Sequence, residues 1–347
     1  MTRKNVQVLA AIVVALVLTI LVVETTDDPG SMSEGQPLLP GFSEQANEAR
    51  HIRVLFPDSD SLAIRREADN WVISARDNYV ADLGKLRQLV LALAEARIIE
   101  EKTSNPDLYE KLGVDDPEDD GSGTKVSVSG EGFSYSVILG DAAKGDHRYA
   151  RLADGQSSYL IDRDPDLSQE IGDWLHPDIL DIDSNRVRNV SIQHEDGEKI
   201  TIEKSAEELT DFTVLDIPEG RDLSYAAVGN GIAGVLSQLK LDDVRKASED
   251  APLTSVVFDT WDGLQIRATV STDNEESWVA FTAEETQAES DTESPEDPDG
   301  QALSVDPDES AAEINARLSG WQYRLPDHKK NLLVRRWEDI LKSTDED

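Results

Sequence analysis

Two acidic stretches carry residues of the type and spacing that bind calcium in an EF-hand loop. Such a loop needs acidic side chains at positions 1, 3 and 5, glycine at position 6 and a bidentate glutamate at position 12. With Gly121 as position 6 the acidic positions are filled, but position 12 is Ser127. With Gly300 as position 6, position 1 is Pro295. The sequence therefore favours acidic turns over calcium sites in both places.

The histidines show no zinc-binding pattern. None is paired with another histidine at a spacing such as H-E-x-x-H. We expect structural or solvated roles for all of them. The five histidines are His51, His147, His176, His194 and His328.

The usual signatures of catalysis are also missing from the sequence. There is no G-x-S-x-G or G-x-x-x-x-G-K-[ST] motif, and the absence of cysteine removes thiolate nucleophiles and thiolate metal ligands. Gly229-Asn-Gly231-Ile-Ala-Gly234 has the spacing G-x-G-x-x-G but follows a polar segment, which favours close helix packing over a dinucleotide site. We therefore expect no catalytic, cofactor-binding or metal-binding residues, and a chain that is not an enzyme.

The first 23 residues predict where the chain is located. Residues 1–5 contain Arg3 and Lys4, and residues 6–23 contain no charge. At about 1.5 Å per residue this apolar stretch forms a helix of roughly 27 Å, close to the thickness of the hydrocarbon core of a bilayer. The positive-inside rule then places residues 1–5 in the cytoplasm and the bulk of the chain in the periplasm. A cleaved signal peptide is the rival interpretation, but no small-x-small cleavage site follows.

The charge of the chain limits its partners. Lys and Arg number 33 against 71 Asp and Glu, for a net charge of −38. Repulsion between like charges disfavours nucleic acid and anionic lipid surfaces as partners, and we expect no nucleic-acid partner. Because the acidic residues are spread along the whole chain, we interpret them as a solvated, halophile-type surface, and a dedicated cation site is the less favoured alternative.

The exported part repeats itself after a Ser-, Pro- and Gly-rich segment, residues 24–49, which we interpret as a flexible stalk. Residues 50–65 align without a gap with residues 188–203, and both show apolar alternation, a polar turn and alternation again, which predicts a β-hairpin. We predict two tandem, mutually similar α+β domains with antiparallel sheets, at residues 50–181 and 187–342.

Each copy has a predicted amphipathic helix and a closing helix. The first apolar stripe is Leu86, Leu89, Val90 and Leu93. The second stripe is Val228, Ile232, Val235, Leu236 and Leu239. The closing helices carry a tryptophan at the same step, which predicts equivalent buried positions for Trp174 and Trp337.

The second copy contains a predicted insertion. Residues 284–313 are rich in Glu, Asp, Ser and Pro and have almost nothing to bury. We expect a disordered acidic loop between two strands.

The order of short motifs in the first copy resembles a bacterial family. The motifs are Trp71-Val-Ile73, Tyr79-Val-Ala-Asp82, Tyr109-x-x-x-Gly113-Val-x-x-Pro117, Ile138-Leu-Gly140, Tyr149-Ala-Arg151 and Tyr159-Leu-Ile161. This order resembles the family catalogued as domain of unknown function 4340. The resemblance implies a membrane-anchored exported protein, associated as an auxiliary component with ABC-type transport systems of the gliding-motility kind, and it implies no catalytic residues.

Two functions follow as hypotheses. The first is a non-enzymatic accessory component, a single-pass inner-membrane protein that binds a protein partner in a transport complex or an envelope component. The second is a periplasmic enzyme or solute-binding protein that acts on envelope material through acidic residues such as Asp82 or Asp162. The missing motifs and the resemblance favour the first.

Overall fold

A computed structural model describes residues 32–57, 61–248, 251–286 and 309–343. The strands of the described residues are β1 (Ala49–Leu55), β2 (Leu62–Glu67), β3 (Asn70–Ile73), β4 (Tyr79–Val80), β5 (Ile98–Thr103), β6 (Thr124–Gly130), β7 (Phe133–Ala142), β8 (Arg148–Leu152), β9 (Ser158–Ile161), β10 (Asp178–Leu180), β11 (Val187–His194), β12 (Lys199–Glu203), β13 (Thr213–Val214), β14 (Leu239–Lys240), β15 (Asp243–Lys246), β16 (Thr254–Thr260), β17 (Leu264–Asp273), β18 (Glu276–Glu285) and β19 (Trp321–Arg324). The α-helices are α1 (Phe42–Gln45), α2 (Leu83–Glu95), α3 (Val228–Ala233), α4 (Ala311–Leu318), α5 (Asp327–Leu333) and α6 (Trp337–Ile340).

The chain divides into two compact units. The first consists of Met1–Val72 and Leu83–Gln169, and the second of Ile73–Asp82 and Glu170–Asp347. A short segment that precedes α2 in the sequence therefore belongs to the second unit. The domain boundaries at 50–181 and 187–342 remain a prediction.

The first unit is built on strands of one sheet in the order β3-β2-β1-β6-β7-β8-β9-β5. The strand β4 belongs to the second unit. Alternation of apolar residues along β1 and β2 places Ile52 opposite Ile64 and Val54 opposite Leu62, all of them buried. Successive side chains of a strand point to opposite faces, so this alternation gives the sheet one apolar face. The pairs β1–β2, β1–β6, β6–β7, β7–β8, β8–β9 and β5–β9 are antiparallel.

The second unit is built on an eight-stranded antiparallel sheet in the order β13-β12-β11-β16-β17-β18-β19-β15, with β10 and β14 forming a separate pair. Eight strands of the first sheet follow the order β3-β2-β1-β6-β7-β8-β9-β5, and each of them has an equivalent strand at the same place in the second sheet. The registers also match: Ile52 lies opposite Ile64, and Val190 lies opposite Ile202. The antiparallel sheets and helices confirm the prediction of the α+β class.

Both predicted amphipathic helices are present, but the second is shorter than predicted. α2 buries Leu86, Leu89 and Leu93. In the second unit every residue of the predicted stripe is buried, yet α3 ends at Ala233, a 3-10 turn follows, and Leu239 lies in β14. Three glycines in this segment explain the early end, since glycine is a poor helix former.

The predicted stalk at residues 24–49 is wrong over its second half. Leu38, Leu39 and Phe42 are buried, and the Leu38 amide donates to the carbonyl of Ala96 over 2.8 Å. Burial of these apolar side chains outweighs the loop-like composition around them. Residues 24–31 lie outside the described residues.

The predicted insertion at residues 284–313 is shorter at both ends than the sequence indicates. β18 continues to Glu285, and α4 begins after a capping box in which Ser310 and Glu313 bond reciprocally. This cap satisfies backbone amides at the start of the helix. The insertion therefore ends in a helix that buries Ala311, Ile314 and Leu318, and residues 287–308 lie outside the described residues.

The predicted equivalence of the two tryptophans is also wrong. The Trp174 carbonyl accepts from the Asp82 amide over 2.8 Å, and in the same arrangement the Ile340 carbonyl accepts from the Ser224 amide over 2.8 Å. Trp174 therefore corresponds to Ile340. Trp337 begins α6 and is only partly buried.

No helix in the described residues is long and apolar enough to span a membrane. The predicted anchor, residues 6–23, lies outside them.

The acidic surface leads to a prediction about salt. If the net charge of −38 is solvated, its self-repulsion destabilises the folded chain, and screening should relieve it. We expect the melting temperature of the full chain in lipid nanodiscs, followed by circular dichroism, to rise by several degrees between low and molar sodium chloride; each kcal/mol corresponds to about 2–4 °C. A melting temperature that does not change with sodium chloride but rises in micromolar calcium chloride would contradict the interpretation of the acidic residues as a solvated surface.

Candidate functional site

The first unit contains an open apolar groove beside α2. Leu86 and Val90 line it from the helix, and Trp71 lines it from β3. Two further leucines of the same helix, Leu83 and Leu91, also line the groove while 47% and 50% exposed. The groove has a volume of about 530 Å³, within the range typical of ligand sites.

The groove has a polar rim of mixed charge. Arg66 and Asp69 lie on its sheet side, and Arg87 and Glu95 lie on α2. Apolar floor and charged rim together are the usual composition of a binding surface.

A second, polar pocket adjoins the groove. It has a volume of about 560 Å³ and shares Asn47 and Arg66 with the groove. Its other charged residues are Glu48, Arg50 and Glu131. Within the described part of the chain, the side chains of these two arginines and two glutamates form no ion pair or hydrogen bond.

Several of the short motifs meet elsewhere in the first unit, around Arg151. Its guanidinium lies 4.6 Å from the centre of the Tyr109 ring. It donates from Nε to the carbonyl of Val114 over 3.0 Å and from Nη1 to the carbonyl of Gly155 over 3.0 Å. Tyr109, Val114 and Ile138 form one buried cluster. These motif residues hold a loop against the sheet, which is a structural role.

The acidic turn around Gly121 is held by bonds within the protein. Asp116 accepts from the amide of Glu118 over 3.0 Å and from Lys125 over 3.1 Å. Burial alone would lower the pKa of Lys125, but its hydrogen bonds to Glu118 and Asp116 outweigh burial and raise that pKa. The carboxylate of Asp116 thus stabilises the turn through these hydrogen bonds. The similar stretch around Gly300 lies outside the described residues.

Of the five histidines, only His194 is buried. Its Nε2 lies 3.0 Å from the carbonyl of Arg335, and its Nδ1 lies 2.9 Å from the hydroxyl of Thr254. Because a carbonyl only accepts, Nε2 donates to Arg335, while Nδ1 shares a hydrogen bond with the threonine hydroxyl. Both ring nitrogens are used structurally. Within the described ranges, no group of three or more His, Cys, Asp or Glu could hold a metal ion.

The two acidic residues of the enzyme hypothesis belong to different compact units, Asp82 to the second and Asp162 to the first. Asp162 accepts from the amide of Arg97 over 2.8 Å and lies 3.4 Å from Arg163. These contacts give Asp162 a structural role.

A buried tyrosine pair in the second unit has perturbed acidity. Burial raises the pKa of Tyr79 to about 12, and burial together with the neighbouring Tyr79 raises that of Tyr323 further. The two rings lie 6.3 Å apart, edge to face. Both hydroxyls stay protonated near neutral pH, so neither serves as a general base.

Sequence reasoning missed the groove and the polar pocket. One signal was available: Leu83 and Leu91 lie outside the buried stripe of α2, on positions where a surface helix usually carries polar residues. The sequence contains no comparable signal for the polar pocket, because charged residues are common at the ends of its predicted strands.

The fold defines an α+β protein whose two antiparallel sheets share one strand order. Residues 71–255, which include all six of the short motifs, match the family described as Domain of unknown function (DUF4340). The chain belongs to this family. No curated protein matches the chain, and no solved structure matches it.

Proposed function

We propose that this chain is an exported accessory component of an ABC-type transport system, anchored in the inner membrane, which acts by binding and not by catalysis. Residues 6–23 serve as the single-pass anchor, with residues 1–5 in the cytoplasm and the rest in the periplasm. The gliding-motility kind of transport system is the one that the family resemblance suggests.

The observation that supports binding most strongly is the open groove beside α2. Large apolar side chains that remain exposed together, such as Leu83 and Leu91, typically mark a contact surface on a soluble unit. Keeping them exposed in the free protein is unfavourable by about 25 cal/mol for each Å² of apolar area left in water. A ligand or partner that covers the groove recovers this free energy.

The anchor would keep the first unit close to the bilayer. Residues 24–31 separate the predicted anchor from the first described residue, and even fully extended they span at most about 29 Å. Some of the residues that line the groove, including Ala46 and Asn47, follow soon after in the chain. The groove is thus well placed for envelope material or for the exported part of a transporter.

We also infer that the two units are tandem copies. The matching strand orders and the equal pairing of Ile52 with Ile64 and of Val190 with Ile202 support this inference. Both copies also shift register at the same point, between Ala49 and His51 and between Val187 and Asn189. After an internal duplication the two sheets can keep the same strand order while their surface residues diverge.

A crosslinking experiment in native membranes tests the proposed function. A photo-reactive amino acid replaces Leu91 in the groove, or Leu209 as a control, an exposed leucine of the second unit with 46% exposure. We expect illumination to yield a discrete adduct from position 91 and none from position 209, with transporter subunits recovered alongside the protein. Equal yields at the two positions, or no adduct at position 91, would refute binding at the groove.

A further inference from the structure

We propose that the groove and the polar pocket of the first unit together bind one amphiphile with a zwitterionic headgroup, of the phospholipid class. This inference rests on the proposed function, since it names the envelope component that the groove receives. The apolar groove would take an acyl chain, and the polar pocket would take the headgroup.

The groove has the length of an acyl chain. Its lining residues on α2 run from Leu83 to Glu95, so at 1.5 Å per residue the groove follows the helix for about 18 Å. One leaflet of a bilayer is about half of the 30 Å hydrocarbon core, or roughly 15 Å. An extended chain of a membrane lipid therefore fits along α2, against Leu86, Val90 and Trp71.

The polar pocket offers both signs of charge, on side chains that have no ion-pair or hydrogen-bond partner among the described residues. Arg50 and Arg66 present guanidinium groups, which bind phosphate oxygens in a bidentate manner. Glu48 and Glu131 present carboxylates that suit an ammonium group. A headgroup that carries one phosphate and one ammonium pairs all four side chains.

The shared lining connects the two halves. Asn47 and Arg66 line both the groove and the pocket, so one molecule can occupy the two at once. A purely anionic headgroup would meet the two glutamates of the pocket and the net charge of −38 of the chain. A headgroup without net charge avoids this repulsion.

The second unit provides an internal comparison. In the shared register, Arg50 and Arg66 correspond to Arg188 and Lys204. Arg188 lies over the ring of Trp261, at 5.2 Å from its centre. Lys204 is buried and donates to the carbonyl of Asn185 over 3.2 Å. The second unit thus uses the equivalent cations for packing, while the first unit leaves them facing a pocket.

The test uses the full chain in vesicles of phosphatidylglycerol with a trace of a photo-reactive lipid. The lipid is phosphatidylethanolamine or phosphatidylglycerol with the same diazirine-bearing acyl chain, and peptide mass spectrometry measures labelling at residues 83–95 and 6–23. We expect phosphatidylethanolamine to label residues 83–95 about tenfold more than phosphatidylglycerol does, relative to residues 6–23 of the same molecules.

Two exposed substitutions probe the two halves of the site. Arg50→Gln in the pocket and Leu91→Asp in the groove should each lower the labelling of residues 83–95 about tenfold, since each removes a main contact of the ligand. Leu209→Asp in the second unit should leave it unchanged. Circular dichroism establishes that the variants are folded, as expected for side chains that already face solvent.

Labelling of residues 6–23 without labelling of residues 83–95 would overturn this inference and leave the proposed function standing. Equal labelling by the two lipids would overturn the zwitterionic headgroup. If the crosslinker at Leu91 captures only a protein, a protein segment is the occupant and the lipid is not. Absence of labelling at residues 6–23 would instead refute the anchored function itself.

Discussion

Replacement of Trp174 by alanine is expected to destabilise the second unit by about 3–5 kcal/mol, the usual cost of truncating a large buried aromatic side chain. Trp174 is fully buried, with 0% exposure, and is among the largest buried side chains of the described residues. It ends the 3-10 helix Ile171–Trp174, and its backbone carbonyl accepts from the amide of Asp82. The cavity left by the indole cannot collapse without moving these elements.

The free energy of unfolding in urea, followed by circular dichroism on the full chain, measures this effect. Because domains are stable by only about 5–15 kcal/mol, the loss should remove a large part of the stability of the second unit. Trp337→Ala is the matched control: Trp337 is partly exposed at the start of α6, and its truncation should have a clearly smaller effect. Equal losses for the two variants would contradict the burial difference.

The hairpins at the start of each sheet could be predicted from the sequence because their apolar residues alternate with polar ones. Ile52 and Ile64 in the first unit, and Val190 and Ile202 in the second, are all buried as this pattern predicts. A one-residue shift would turn these side chains to solvent, so the pattern also determines the register. The stripe of α2 was readable for the same reason.

Elements that depend on contacts far apart in sequence could not be predicted in this way. Leu38 and Phe42 stand among Pro, Gly and Ser, yet both are buried. Leu38 bonds to Ala96, and Phe42 packs against the ring of Tyr135, so both depend on parts of the chain that are distant in sequence.

Trp174 and Trp337 were predicted to be equivalent because both closing segments repeat apolar residues at helical intervals. The true correspondence is fixed by the hydrogen bonds from the amides of Asp82 and Ser224, which the sequence does not display.

The candidate site shows the same limit. Arg50 and Arg188 are the same residue at the same place in aligned hairpins, yet one faces an open pocket and the other stacks on Trp261. The difference comes from which side chain the rest of the fold brings nearby. In duplicated units the role of a residue therefore depends on the local environment of each copy.

Substitution of Gly140 by alanine is expected to be as harmful as a core truncation, at about 3 kcal/mol, the upper end of the usual cost of overpacking. A Cβ added at Gly140 would lie 2.1 Å from the carbonyl oxygen of Leu112 and 2.7 Å from Cγ1 of Val114. The obstacle is backbone, which cannot rotate away as a side chain can. Either β7 or the loop that carries Leu112 and Val114 must move, and the cluster around Tyr109 would open.

Gly140 and the Tyr109-x-x-x-Gly113-Val114 motif thus depend on each other: the glycine leaves the space into which the loop packs. Gly234→Ala is the matched control, because a Cβ at Gly234 meets nothing within 4 Å. That variant should be neutral or slightly more stable, since alanine costs less conformational entropy. Urea unfolding and proteolysis of the loop measure both variants. A Gly140→Ala protein as stable and as resistant to protease as the Gly234→Ala protein would show that the loop packs less closely than the structure places it.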